Sequence, residues 1–99
     1  MYKSWKFEHE KIRPHIQIGI HEGGDLALVI DDYELFDFID DYLTDECAIE
    51  YESRISIKRV GGEIITMFFP KSVSADELES ALLRLSVDEI EKVYRLNNP

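Results

Sequence analysis

The chain has a single cysteine, Cys47, in 99 residues, so no disulfide can close within it. Stability must come from an apolar core, and the simplest setting is a reducing, cytosolic compartment. No apolar run approaches the roughly 18 residues that a membrane-spanning helix needs. The first residues, MYKSWKFEHEK, are polar and alternating, unlike an export signal. Basic residues are scarce: 11 Lys and Arg stand against 21 acids, for a formal net charge of −10. That balance argues against direct binding to nucleic-acid phosphates and to anionic membranes, both of which need cations. Repeats and low-complexity linkers are also missing, so residues 1–99 read as one acidic domain. What is present is a core: 44% of residues are hydrophobic, and 11% are aromatic, which excludes a disordered chain.

Period-two patterns predict five strands. Trp5 and Phe7 alternate with Ser4, Lys6 and Glu8, giving a first strand over 3–11 before Pro14. Ile16, Ile18 and Ile20 alternate with Gln17, Gly19 and His21, which implies one buried face. Gly23-Gly24-Asp25 turns the chain into a third, continuously apolar and central strand, Leu26 to Ile30. Ile49, Tyr51, Ile55 and Ile57 share one parity and predict a long fourth strand. Gly61-Gly62 turns it into a fifth, over 63–69, which Pro70 ends.

Helical spacing appears between the third and fourth strands, where Leu35, Phe36, Ile39, Tyr42 and Leu43 form a stripe. Asp31 or Asp32 caps its start, and its end is expected near Thr44. Ser74-Ala-Asp-Glu77 and Ser86-Val-Asp-Glu89 are capping boxes that start helices over about 75–85 and 87–96, unless the two form one bent helix. The order β-β-β-α-β-β-α-α predicts an α+β fold: a mainly antiparallel five-stranded sheet with helices on one face. The expected core contains Trp5, Phe7, Ile16, Ile18, Ile20, Leu28, Ile55, Ile57, Leu78, Leu82 and Val93.

The charge is distributed unevenly. Residues 14–53 contain no Lys or Arg but twelve acids, whereas the rest of the chain is slightly basic. Random placement of the bases would put about four in that stretch. Like charges at helical i,i+4 spacing, such as Asp37 with Asp41, repel, and aspartate is a poor helix former. Local stability is thus given up to concentrate negative charge. A solvated, solubilising face is the plain explanation. The functional one is a surface for a cationic protein: Asp31, Asp32, Glu34, Asp37, Asp40, Asp41 and Asp45 contact the partner, with Tyr33, Phe38 or Tyr42 as anchor.

Other chemistry finds no support in the sequence. The acids lack the spacing of a calcium-binding loop, and no metal or other cofactor is expected. His15 and His21 stand about 20 Å apart along an extended strand, too far to share a metal. Cys47 lies among Asp45, Glu46 and Glu50, with no cation near it in sequence, which disfavours a thiolate. The glycine pairs lack a following Gly-Lys-Ser/Thr and read as hairpin turns, not phosphate loops. No catalytic group is expected, and the chain does not read as an enzyme.

In size, charge, α+β pattern and its acidic aromatic helix, Asp31–Glu46, the chain resembles the small acidic immunity proteins of bacterial toxin systems, of the contact-dependent growth-inhibition or bacteriocin type. The resemblance is to the class; no signature motif carries it and no family residue is transferred. It implies stoichiometric inhibition of a cognate toxin, often a nuclease with a basic groove, in the cytosol. Two other expectations stand beside it. One is a nucleic-acid mimic of the anti-restriction or anti-CRISPR kind, whose carboxylates would imitate phosphates along an elongated face. The other is an acidic secretion chaperone, which would expose apolar grooves.

Overall fold

The computed structural model describes residues 8–21 and 23–97. The elements are β1 (Glu8–Arg13), β2 (Ile16–Ile20), β3 (Leu26–Ile30), α1 (Tyr33–Cys47), β4 (Ser53–Arg59), β5 (Gly62–Phe69), α2 (Ala75–Leu83) and α3 (Val87–Asn97). All strand pairs are antiparallel, in the spatial order β1-β2-β3-β5-β4, so β3 is central and β1 and β4 are the edges. The fold is α+β. Expected core residues Trp5 and Phe7 lie outside the described residues.

Residues paired directly across an antiparallel ladder share a face. On the inner face this aligns Ile16, Ile18 and Ile20 of β2 with Ile30, Leu28 and Leu26 of β3, and these with Ile65, Met67 and Phe69 of β5. Over that face α1 buries Leu35, Phe36, Ile39 and Leu43, α2 buries Leu78, Ala81 and Leu82, and Ile90 of α3 closes the cluster. α1 packs over β3 and β5 and against α3, while α2 lies beside β1. The extents of 36 × 32 × 20 Å fit a sheet and one helical layer.

Local signals fix most boundaries. Asp32 is the N-cap of α1, its carboxylate accepting from Leu35 N–H at 2.9 Å. The helix runs past Thr44 to Cys47 and stops because Ala48 turns left-handed, at φ 57°, which lets Ile49 N–H bond Leu43 O at 2.9 Å and Ile49 enter the core. Both capping boxes form: Glu77 N–H donates to Ser74 Oγ and Glu89 N–H to Ser86 Oγ, each at 3.0 Å. The two helices are separate. Arg13 donates to Leu83 O at 3.0 Å and to Leu85 O at 3.1 Å, satisfying carbonyls left free at the break.

Three expected core residues are exposed. Ile55 and Ile57 are 51% and 58% accessible. They pair with Thr66 and Ile64 on the outer face, whereas the buried Met67 and Ile65 face Arg54 and Ser56. The parity reading assumed an unbroken strand from Ile49. Instead β4 begins at Ser53, and the irregular backbone before it reverses the parity, so Ile49 is buried and Ile55 is not. Ile20, at 45%, lies on the inner face but is the last residue of its strand. Val93 is half-buried against the core.

Candidate protein-binding surface

An amphipathic helix with four buried side chains on one side presents the rest outward. On α1 this leaves Glu34, Asp37, Asp41 and Asp45 exposed in one ridge, at successive spacings of three, four and four residues. Among the described residues none of these four forms an ion pair. Eleven helical steps separate Glu34 from Asp45, so the ridge runs over about 16 Å. Asp40 flanks it, half-buried, and accepts a 3.4 Å hydrogen bond from Thr44 Oγ1. Burial holds the Asp40 carboxyl above its ordinary pKa, helped by the neighbouring Asp41 and Asp37; Thr44 and Arg54 oppose this.

The other acids named from the sequence have different surroundings. Asp32 is engaged as the cap of α1. Asp31 sits beside the imidazole of His15, with Oδ1 3.5 Å from Nδ1. His15 occupies the β1–β2 turn at φ 68°, not a strand face. Its ring stacks on Tyr94 at 3.6 Å, and its Nε2 lies 3.8 Å from Glu91. This group ties the turn, the start of α1 and α3 together. His21 packs edge-on against Phe68 at 4.9 Å, and burial lowers its pKa, with Asp25 pulling the other way.

Of the three aromatic anchors expected, the structure leaves Tyr33 exposed, at 41%. Phe38 is half-buried and packs against the core. Tyr42 also packs there, and its hydroxyl donates to Ala81 O at 2.7 Å. Burial raises the Tyr42 pKa, with a contribution from Cys47 and an opposing one from Arg84. Both rings are thus partly buried on the packed side of the helix. The fold adds two residues that sequence reasoning did not place at the site. Phe36 has Tyr33 at 5.6 Å, Tyr51 at 6.2 Å and the Arg54 guanidinium 4.8 Å above its ring. Tyr33, Tyr51 and Arg54 thus form an aromatic and cationic cluster at the N-terminal end of the acidic ridge. Tyrosine and arginine are the residue types that most often dominate binding at interfaces. The available signal was the change to basic residues at Arg54, directly after the acidic stretch.

The surroundings of Cys47 also differ from expectation. Although no cation is near it in sequence, Arg84 Nη2 lies 3.4 Å from its Sγ. Among the described residues no three His, Cys, Asp or Glu side chains are grouped to hold a metal ion. No helix among them is long and apolar enough to cross a membrane. No family model matches the chain, and neither does any curated protein or solved structure.

Proposed function

We propose that the chain is a protein-binding inhibitor that neutralises a basic partner, and that this partner is a cognate bacterial toxin whose nuclease groove the acidic ridge occupies. The observation that carries this reading is the exposed, unpaired line Glu34–Asp37–Asp41–Asp45 on a helix whose inner face is fully packed. A rigid element presents the charge, so a partner gains orientation and association rate without waiting for the site to order. Tyr33, Tyr51 and Arg54 supply the anchor at one end. The chain would act in the cytosol of the cell that makes the toxin, as an immunity protein. A phosphate mimic would need its carboxylates spread along a longer face than this ridge.

The direct assay expresses the product of the adjacent reading frame alone and together with this chain. Inhibition of a toxic activity at one-to-one stoichiometry, with association that slows steeply as salt rises, is the expected result. Asp37→Lys, Asp41→Lys and Asp45→Lys together should slow association at least about tenfold while leaving the fold intact. An unchanged on-rate at low salt in that folded variant would reduce the ridge to a solubility feature.

A further inference from the structure

The edge strand β4 differs from the rest of the molecule in charge and cover. It ends the sheet, and among the described residues no strand pairs with its outer side. All seven of its residues, Ser53–Arg59, are exposed. It carries three of the chain's eleven bases and no acid. Its two faces are sorted: Arg54 and Lys58 point to the inner side, Ile55 and Ile57 to the outer side beside Thr66 and Ile64. The one acid facing it from β5, Glu63, is opposite Lys58, yet it accepts a 3.1 Å hydrogen bond from Ser56 Oγ and forms no ion pair with the lysine.

We propose that β4 is a docking strand whose open edge takes up an extended, acidic segment of a partner protein as a sixth strand. Backbone hydrogen bonds to the free edge supply affinity, and alternating side chains supply selectivity. The segment that fits has carboxylates at the positions opposite Arg54 and Lys58 and apolar residues opposite Ile55 and Ile57. Cations on an edge strand also protect it from unwanted pairing. Protection explains Arg54, Lys58 and Arg59 but not Ile55 and Ile57, two exposed isoleucines adjacent on one face of the same strand.

A second copy fits less well. The two-fold register that sets Ile55 against Ile57 of the other copy also sets Arg54 against Lys58, and like charges directly opposite are destabilising. Each copy moreover carries a formal charge of −10. The proposal shares Arg54 with the cluster beside the acidic ridge but does not rest on the ridge, which lies on α1 and calls for a partner of opposite sign.

The test uses the full chain and end-blocked peptides of the length of β4, one alternating glutamate with valine and one alternating lysine with valine. Amide hydrogen exchange and chemical shifts are followed by NMR. The glutamate–valine peptide should bind and slow exchange at the β4 amides that point away from β5, and the lysine–valine peptide should not. Lys58→Glu with Arg59→Glu should weaken that binding about tenfold, while Arg54 stays over Phe36. Both substituted side chains are exposed, and preserved shifts elsewhere establish that the variant folds. Equal binding of the two peptides, or no slowing at β4, overturns the proposal. Protection of β4 that rises with protein concentration alone also overturns it, by making a second copy the occupant.

Discussion

Helix α1 and strand β4 are joined by Arg54 over Phe36, and both alternate apolar with charged residues. Only the helix buries its apolar face. Leu35, Phe36, Ile39 and Leu43 face β3 and β5, while Ile55 and Ile57 lie on the outer face of the sheet, opposite the helices, in solvent. The pattern in a sequence thus states which residues share a face, and the neighbouring elements decide whether that face is covered. The two regions also differ in charge. The exposed ridge of α1 is acidic and forms no ion pair among the described residues, and β4 carries three bases and no acid, so the molecule has two surfaces of opposite sign.

The sharpest way to break this comparison is to truncate the same residue type in each region. Ile39 is fully buried, and Ile39→Ala should cost about 3 kcal/mol of unfolding free energy. Ile57→Ala should change stability by no more than about 0.5 kcal/mol. Urea titration of both variants decides the point, and comparable losses would mean that β4 is covered in solution. The lysine triple on Asp37, Asp41 and Asp45 tests the other half. Its on-rate effect of about tenfold corresponds to roughly 1.4 kcal/mol in the barrier. Its folding stability should hold or rise slightly: the pairs at positions 37 and 41 and at 41 and 45 stay like-charged, but a lysine at position 37 would attract Glu34 and Asp40 at i,i+3 spacing, and lysine is the better helix former.

The boundary between the two regions gives a smaller effect. Ala48 ends α1 in the left-handed region at φ 57°, where a β-carbon costs energy and glycine does not. Ala48→Gly should therefore stabilise the protein by about 1 kcal/mol in thermal or denaturant melts. A loss of stability would show that glycine's greater freedom in the unfolded chain outweighs the relief of strain.

Much of the fold was legible because its signals are local. The Ile16–Ile18–Ile20 alternation, the capping serines Ser74 and Ser86, and the turn glycines each act within a few residues, and the element order follows from these and the Leu35–Leu43 stripe; the first strand, expected over 3–11, is described as Glu8–Arg13. The face of β4 was not legible. It depends on where the strand begins, and the backbone conformation between Ala48 and Glu52 has no marker in side-chain parity. The break between α2 and α3 was ambiguous for a related reason, since Arg13 satisfies it from about 70 residues away. At the candidate site the acidic ridge followed from helical spacing. The anchor did not: helical periodicity alone does not show that Ala81 takes the hydroxyl of Tyr42, or that Arg54 arrives over Phe36.

The smallest expected effect separates two causes of the charge cost on α1. Burial and the nearby Asp41 and Asp37 hold the Asp40 carboxyl above its ordinary pKa of 3.8 in the folded chain. A group raised in this way binds its proton more tightly when folded than when unfolded. Its ionisation therefore removes stability as pH rises from the unfolded value through the folded one, and the loss persists above that window. Asp40→Asn has no such group, so it should exceed the native chain in stability at neutral pH, by about a few tenths of a kcal/mol. The difference should close as pH falls through the window. Added salt distinguishes the contributions: repulsion from Asp41 and Asp37 is screened and desolvation is not. Because burial is the larger cause, most of the advantage of Asp40→Asn should survive in high salt. An advantage that disappears with salt would assign the cost to the crowding of carboxylates, and the ridge itself, not the half-buried position of Asp40, would then be what destabilises the helix.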